Sequence, residues 1–239
     1  MNKPPPATNF KPLLFVVLAA AFVLGLLSCS DDPVATASVQ AHLILDWEDD
    51  QSLPAERLSV FIETSSNVRR VESFSVKSGD YTWNVDSPIV FQSGDRQWAG
   101  WPHLEPPPNA ARPLFPLGNY QVECVDAAGK KSSATFSIVI NAALLDADAS
   151  QAEGLITAPQ KRVAVYSDSN ELLYFDSARN NWLSDEAIFS GVKDSSYYRN
   201  SISAGSALCF LPKKFKEQPK EKEVIETENT EGEQSDGLE

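Results

Sequence analysis

Histidine is scarce in this chain: His42 and His103 are the two present. A Ser-His-Asp site needs a histidine base held by an orienting carboxylate, and His42 falls in an alternating, strand-like stretch. Zinc takes clustered cysteine and histidine; the three cysteines, at 29, 124 and 209, form no cluster with either histidine. Phosphate-cradling and dinucleotide-binding glycine patterns are missing, as is Gly-x-Ser-x-Gly. These absences leave no expected metal or cofactor and no recognisable catalytic constellation. Acids are numerous enough to hide a carboxylate pair in a cleft, but spacing alone selects none. Cations are also few: 20 Lys and Arg stand against 33 Asp and Glu, for a formal charge of −13. Neutralising phosphates needs a basic surface, so nucleic acid is excluded as a partner. Wide contact with anionic lipid headgroups is disfavoured for the same reason.

Long apolar runs are missing too, except one. Leu13 through Leu27 is apolar apart from Gly25, and it follows Lys3 and Lys11. Its length suits the apolar core of a secretory signal and falls short of the ~20 residues of a spanning helix. Asp31, Asp32 and Pro33 end it. The close of the run, Leu26-Leu27-Ser28-Cys29, resembles the bacterial lipobox read by lipoprotein signal peptidase: an aliphatic residue, a small residue, then cysteine. That resemblance implies diacylglycerol on the Cys29 sulfur, cleavage ahead of it and acylation of the new amine. Each buried CH₂ contributes ~0.8 kcal/mol and stable anchoring takes more than one chain, so two or three acyl chains would hold the protein on a membrane. The implied location is extracytoplasmic, on a bacterial cell or outer membrane. Ser30-Asp31-Asp32 is similar to surface-export tags of some lipoproteins and equally suits a solvated spacer. Residues 1–28 are thus expected to be a signal peptide and 29–40 a tether.

From Ala41 the hydrophobic period becomes two. Leu43, Leu45 and Trp47 alternate with His42, Ile44 and Asp46, Leu58, Val60 and Ile62 with Ser59, Phe61 and Glu63, and Tyr81, Trp83 and Val85 with Thr82 and Asn84. Ile89-Val90-Phe91 adds a short apolar run, and each set is bounded by turn residues. Short strands at such spacing indicate an antiparallel sandwich. Leu114, Pro116, Gly118 and Tyr120 lead into a strand through Cys124, and Asp126-Ala-Ala-Gly129 turns into another ending at Ile140. This hairpin resembles the last two strands of immunoglobulin-like and fibronectin-III-like domains. The resemblance implies an immunoglobulin-like β-sandwich over 41–141, with the Tyr120 hydroxyl bonded back to upstream backbone. The antibody cysteine spacing is absent.

Residues 142–212 are expected to form a linker and a small β-rich portion packed on the sandwich. Val163–Tyr166 and Leu172–Phe175 suggest a hairpin, Trp182 to Ile188 a short helix, and Ile202 and Ala207–Leu211 further strands. Asp146 and Asp148 have the spacing of calcium-loop ligands, but Gln151 and Thr157 stand where glycine and glutamate are needed. Residues 213–239 read as a disordered acidic tail.

Two features bear on function. Trp98-Ala-Gly-Trp101-Pro-His103 continues into Leu-Glu-Pro-Pro-Pro108 and reads as a loop at one end of the sandwich. Loops on rigid scaffolds carry binding, so Trp98, Trp101 and His103 are candidates to hold a protein or glycan; alternatively the tryptophans plug the sandwich end. Cys124 and Cys209 either pair in an oxidising compartment or serve as small buried hydrophobes. The expectation is a non-catalytic binding or assembly lipoprotein of the cell envelope. A scaffold subunit using sheet edges is the second reading, and a hydrolase with a hidden carboxylate pair the third.

Overall fold

A computed structural model describes residues 34–65, 68–108 and 113–217. Cys29, the apolar run before it and the acidic stretch from 218 onward lie outside the described residues. Among the described residues no helix is long and apolar enough to cross a membrane.

Eight strands build the first part: β1 (Thr36–Asp46), β2 (Ala55–Thr64), β3 (Val71–Ser78), β4 (Tyr81–Val85), β5 (Ile89–Ser93), β6 (Arg96–Leu104), β7 (Gly118–Asp126) and β8 (Lys131–Ile138). They form two sheets, with β1-β2-β6-β5 in one and β4-β3-β7-β8 in the other. That split and order are those of an immunoglobulin-like sandwich, with the fourth strand as an added edge. The core follows the period-two pattern. Leu43, Leu45, Leu58, Val60 and Ile62 are fully buried from one sheet, and Phe74, Val76, Val122 and Ile138 meet them from the other. Each such side chain contributes ~1.5–3 kcal/mol by leaving water.

The tyrosine corner is formed. Tyr120 Oη donates to the Pro116 carbonyl at 2.6 Å. The Tyr120 ring stacks on Phe136 at 5.1 Å and lies near Trp83, whose Nε1 donates to the Glu105 carbonyl. Gly118 enters β7 at φ 113, a backbone angle that a side chain resists.

After β8 the chain departs from expectation. The stretch read as a linker is a 3₁₀ turn (Ala142–Asp146), helix α1 (Ala149–Ala152) and a second 3₁₀ turn (Glu153–Leu155). It carries Leu144, Leu145, Ala149, Ala152 and Ile156 into the main core, and Trp47 Nε1 donates to the Ala147 carbonyl at 3.0 Å. Three broken turns offer no sustained period, so sequence pattern does not reveal them.

The remaining elements are β9 (Gln160–Tyr166), β10 (Leu172–Asp176), α2 (Asp185–Gly191), β11 (Tyr197–Ala204), β12 (Ala207–Phe210) and β13 (Lys214–Phe215). They extend the first sheet to β10-β9-β11-β12-β1-β2-β6-β5, because β12 pairs in parallel with β1, Leu43 opposite Ala207 and Asp46 opposite Phe210. Helix α2 begins at the Ser184 cap and covers β9 and β11 with Ile188 and Phe189, beside Trp182. Two boundaries shift. Strand β1 starts at Thr36, inside the expected tether, because β2 offers partners out to Thr64. Lys214 and Phe215, expected in the tail, pair with Tyr198 and Tyr197.

Candidate functional site

The expected Trp98–His103 loop is strand. Strand β6 runs through all of Trp98 to Leu104 and lies between β2 and β5. Turn-prone Gly100 and Pro102 suggested a loop, yet both have structural causes. A Cβ on Gly100 would sit 2.3 Å from the Val60 carbonyl oxygen and 2.4 Å from the Phe61 ring, so only glycine lets Phe61 lie across the strand. Pro102 falls past Gly100, where β5 no longer pairs, and at a register shift against β2. A missing N–H costs little at such a bulged, one-sided position.

The three candidates do not converge. Trp98 is buried, 5% exposed, opposite Glu63 on one side and Phe91 on the other. Trp101 has the opposite parity; it packs on the sandwich core and donates Nε1 to the His103 carbonyl at 3.1 Å. His103 is exposed. The expected loop is thus corrected to strand, and Trp98, Trp101 and His103 do not form one surface: the two tryptophans pack on opposite faces of β6.

What the register does assemble is an apolar surface that sequence reading missed. Phe61 pairs with Gly100, Ile89 with Gly100 from the other side, and Phe91 with Trp98. All of these lie on the sheet face turned away from the second sheet. The rings of Phe61 and Phe91 meet edge to face at 5.5 Å and 73°. Every residue of β5 is exposed, with Ile89 at 46%, Val90 at 41% and Phe91 at 43%. Strand β5 ends the sheet and pairs with β6 alone among the described residues. One edge of an apolar strand thus keeps its backbone donors and acceptors available, as a template for another strand. A signal existed: Ile89-Val90-Phe91 has no polar alternate, which an edge strand with one wet face ordinarily shows. Glu63 and Arg96 rim the patch, 3.6 Å apart.

The cysteine pairing considered from sequence is not formed. Cys124 on β7 and Cys209 on β12 are free, buried thiols in the same core cluster. Burial pushes Cys124 up to about 11, against a smaller opposing effect of a hydrogen bond with Thr36, and burial pushes Cys209 up to about 12. Thiols held neutral in this way are poor nucleophiles. No group of three or more metal-ligating side chains occurs among the described residues.

Comparison of the sequence with protein-family models and with curated proteins finds no match. Among solved structures, the crystal structure of murine CEACAM1b aligns with 73% of this chain and 97% of its own, at 10% identity and a TM-score of 0.17. At that score the likeness carries nothing about fold or function. The sandwich assignment stands on strand order and the tyrosine corner.

Proposed function

We propose that this chain is a lipid-anchored, non-catalytic assembly module of a bacterial cell envelope, and that it holds a protein partner along β5. The reading joins the lipobox resemblance at Cys29 to one observation: an exposed, apolar edge strand, Ile89–Ser93, beside the Phe61–Phe91 ring pair. A partner strand added to that edge gains main-chain hydrogen bonds, and its side chains meet Ile89 and Phe91. The sheet edge, rather than a tryptophan loop, is the working surface in this view.

Two experiments test it. An alkyne fatty acid fed to cells should label the chain, and Cys29→Ser should abolish the label; labelling of the serine variant removes the anchor from the proposal. A photo-crosslinking residue at position 92, used in intact membranes, should yield one dominant adduct. Phe91→Glu should remove that adduct while the chain stays folded, melting being lowered mainly by loss of the ring contact with Phe61, worth ~0.5–1.5 kcal/mol. An adduct that survives this charge on the edge excludes β5 as the docking strand.

A further inference from the structure

A concavity lies on the opposite half of the same outward sheet face, where the C-terminal strands join the sandwich. It is an open cleft of about 420 Å³ lined by His42, Thr157, Ala158, Gln160, Arg162 and Ser203. Each polar group reaches it for a stated reason. His42 points outward from β1, one residue before the parallel pairing with β12 begins at Leu43. Arg162 and Gln160 point the same way from the start of β9, opposite Ser201 and Ser203 of β11. The β11–β12 hairpin turns at Gly205, φ 56, and so opens the space beside His42. Ala158, at φ 50, holds the entry to β9 in a left-handed conformation that a residue with a Cβ seldom adopts.

The chemistry of the lining is one-sided. Arg162 gives one hydrogen bond to Gln160 Oε1 at 3.3 Å and lies over the Phe175 ring at 5.6 Å. It meets no carboxylate among the described residues. Four other guanidinium groups meet acids: Arg199 and Arg57 lie against Asp46, Arg70 against Asp126, and Arg96 against Glu63, whereas Arg179, like Arg162, lies over aromatic rings and donates to a neutral oxygen, the Gly191 carbonyl. Half-buried His42 shares the cavity with Arg162, and its pKa is lowered by burial first and by the Arg162 charge second; Lys161, the neighbour of Arg162 on the opposite face of β9, is paired with Glu153. Across β1 the residue paired with His42 is Ser59, which carries no charge. The cavity therefore gathers a guanidinium, an imidazole, an amide and two hydroxyls, with no acid, on a chain of formal charge −13.

We infer that this cavity binds a small oxyanion, a phosphate or carboxylate group, seated between Arg162 and His42 with Ser203 and Gln160 as further donors. A guanidinium fork matches both anions in two parallel hydrogen bonds. Bound anion reverses the electrostatics at His42, since it favours the imidazolium that Arg162 opposes. The inference is independent of the β5 edge and of the lipid anchor.

The test uses the two histidines of the full-length chain as internal probe and control. Imidazole resonances are followed against pH in chloride, inorganic phosphate and acetate at equal ionic strength. Phosphate or acetate should raise the His42 pKa saturably and leave His103 unmoved; the anion with the lower half-saturation names the class. Arg162→Gln should raise the His42 pKa in chloride and weaken anion binding about tenfold or more, the effect of losing a charge-assisted hydrogen bond. Ser203→Ala, a smaller change, should weaken it less without altering the chloride value. Equal movement of both histidines, or an undiminished response in Arg162→Gln, overturns the assignment.

Discussion

Arg199 Nη2 lies 2.5 Å from Asp46 Oδ1, joining residues 153 positions apart in the chain. The same nitrogen donates to the Trp47 and Phe210 carbonyls at 2.9 and 3.0 Å, and Nε donates to the Leu211 carbonyl at 2.7 Å. One guanidinium therefore clamps the ends of β1 and β12, beside the ladder in which the Trp47 N–H donates to the Phe210 carbonyl at 3.1 Å. Arg199 is 9% exposed and Asp46 25%, so the pair is largely out of water. Arg199→Met should cost about 3–5 kcal/mol, because it leaves Asp46 with only the longer contact to Arg57 and takes the Arg199 donors from the Trp47 and Leu211 carbonyls. Arg199→Lys should recover only part, since an ammonium cannot reproduce the fork. Urea unfolding of the two variants checks both values; a loss under about 1 kcal/mol in the methionine variant removes the clamp from the account.

Trp98 and His103 separate packing from surface. Trp98→Ala should lower stability by about 3–5 kcal/mol and the melting temperature by on the order of 10 °C. His103→Ala, at an exposed position, should stay within about 0.5 kcal/mol of the parent. Calorimetry of the two variants decides it, and near-equal melting temperatures would contradict the burial of Trp98.

The tyrosine corner offers a single-atom test. Tyr120→Phe leaves the ring against Phe136 and Trp83 but strips the donor from the Pro116 carbonyl. The expected loss is about 1–2 kcal/mol, with faster amide exchange across the connection from Leu114 to Asn119. Unchanged exchange there would mean that the prolines alone hold the corner.

The buried thiols give a pH dependence. Both folded values lie above the ordinary thiol value, so the native state keeps its protons where the unfolded chain loses them. Their contribution is whole below about pH 8.5 and falls as pH rises toward about 11 and 12. In that window each thiol should steepen the loss by up to about 1.4 kcal/mol per pH unit. Replacing both cysteines with alanine should flatten the alkaline limb relative to the parent. A thiol reagent at pH 8 should label neither cysteine until the chain is unfolded; fast native labelling at either would refute its burial.

Much of the sandwich was legible because its physics is local. Alternation placed β1, β2, β4, β7 and β8, and the resemblance of Leu114 to Tyr120 to a tyrosine corner implied a bond to upstream backbone, which the structure places on the Pro116 carbonyl. The tryptophan stretch misled because Gly100 and Pro102 imitate a loop; their reasons, the Phe61 ring and the bulge opposite β2, are contacts with distant strands. The segment from Ala142 to Leu155 hid its burial in turns too short to show a period. Nothing local encodes the parallel register of Leu43 with Ala207, or the placing of His42 and Arg162 around one cavity from strands with two others between them. The Ile89–Phe91 run was visible, but its exposure depends on a sheet that ends there.

The pairing of β12 beside β1 has a mechanical side. Strand β1 is flanked by two neighbours, antiparallel β2 and parallel β12, instead of lying on a rim. Tension applied ahead of Thr36 loads both ladders lengthwise, so several hydrogen bonds must break together before the strand can slide. A first strand on the margin would peel away one bond at a time; this one resists being drawn out.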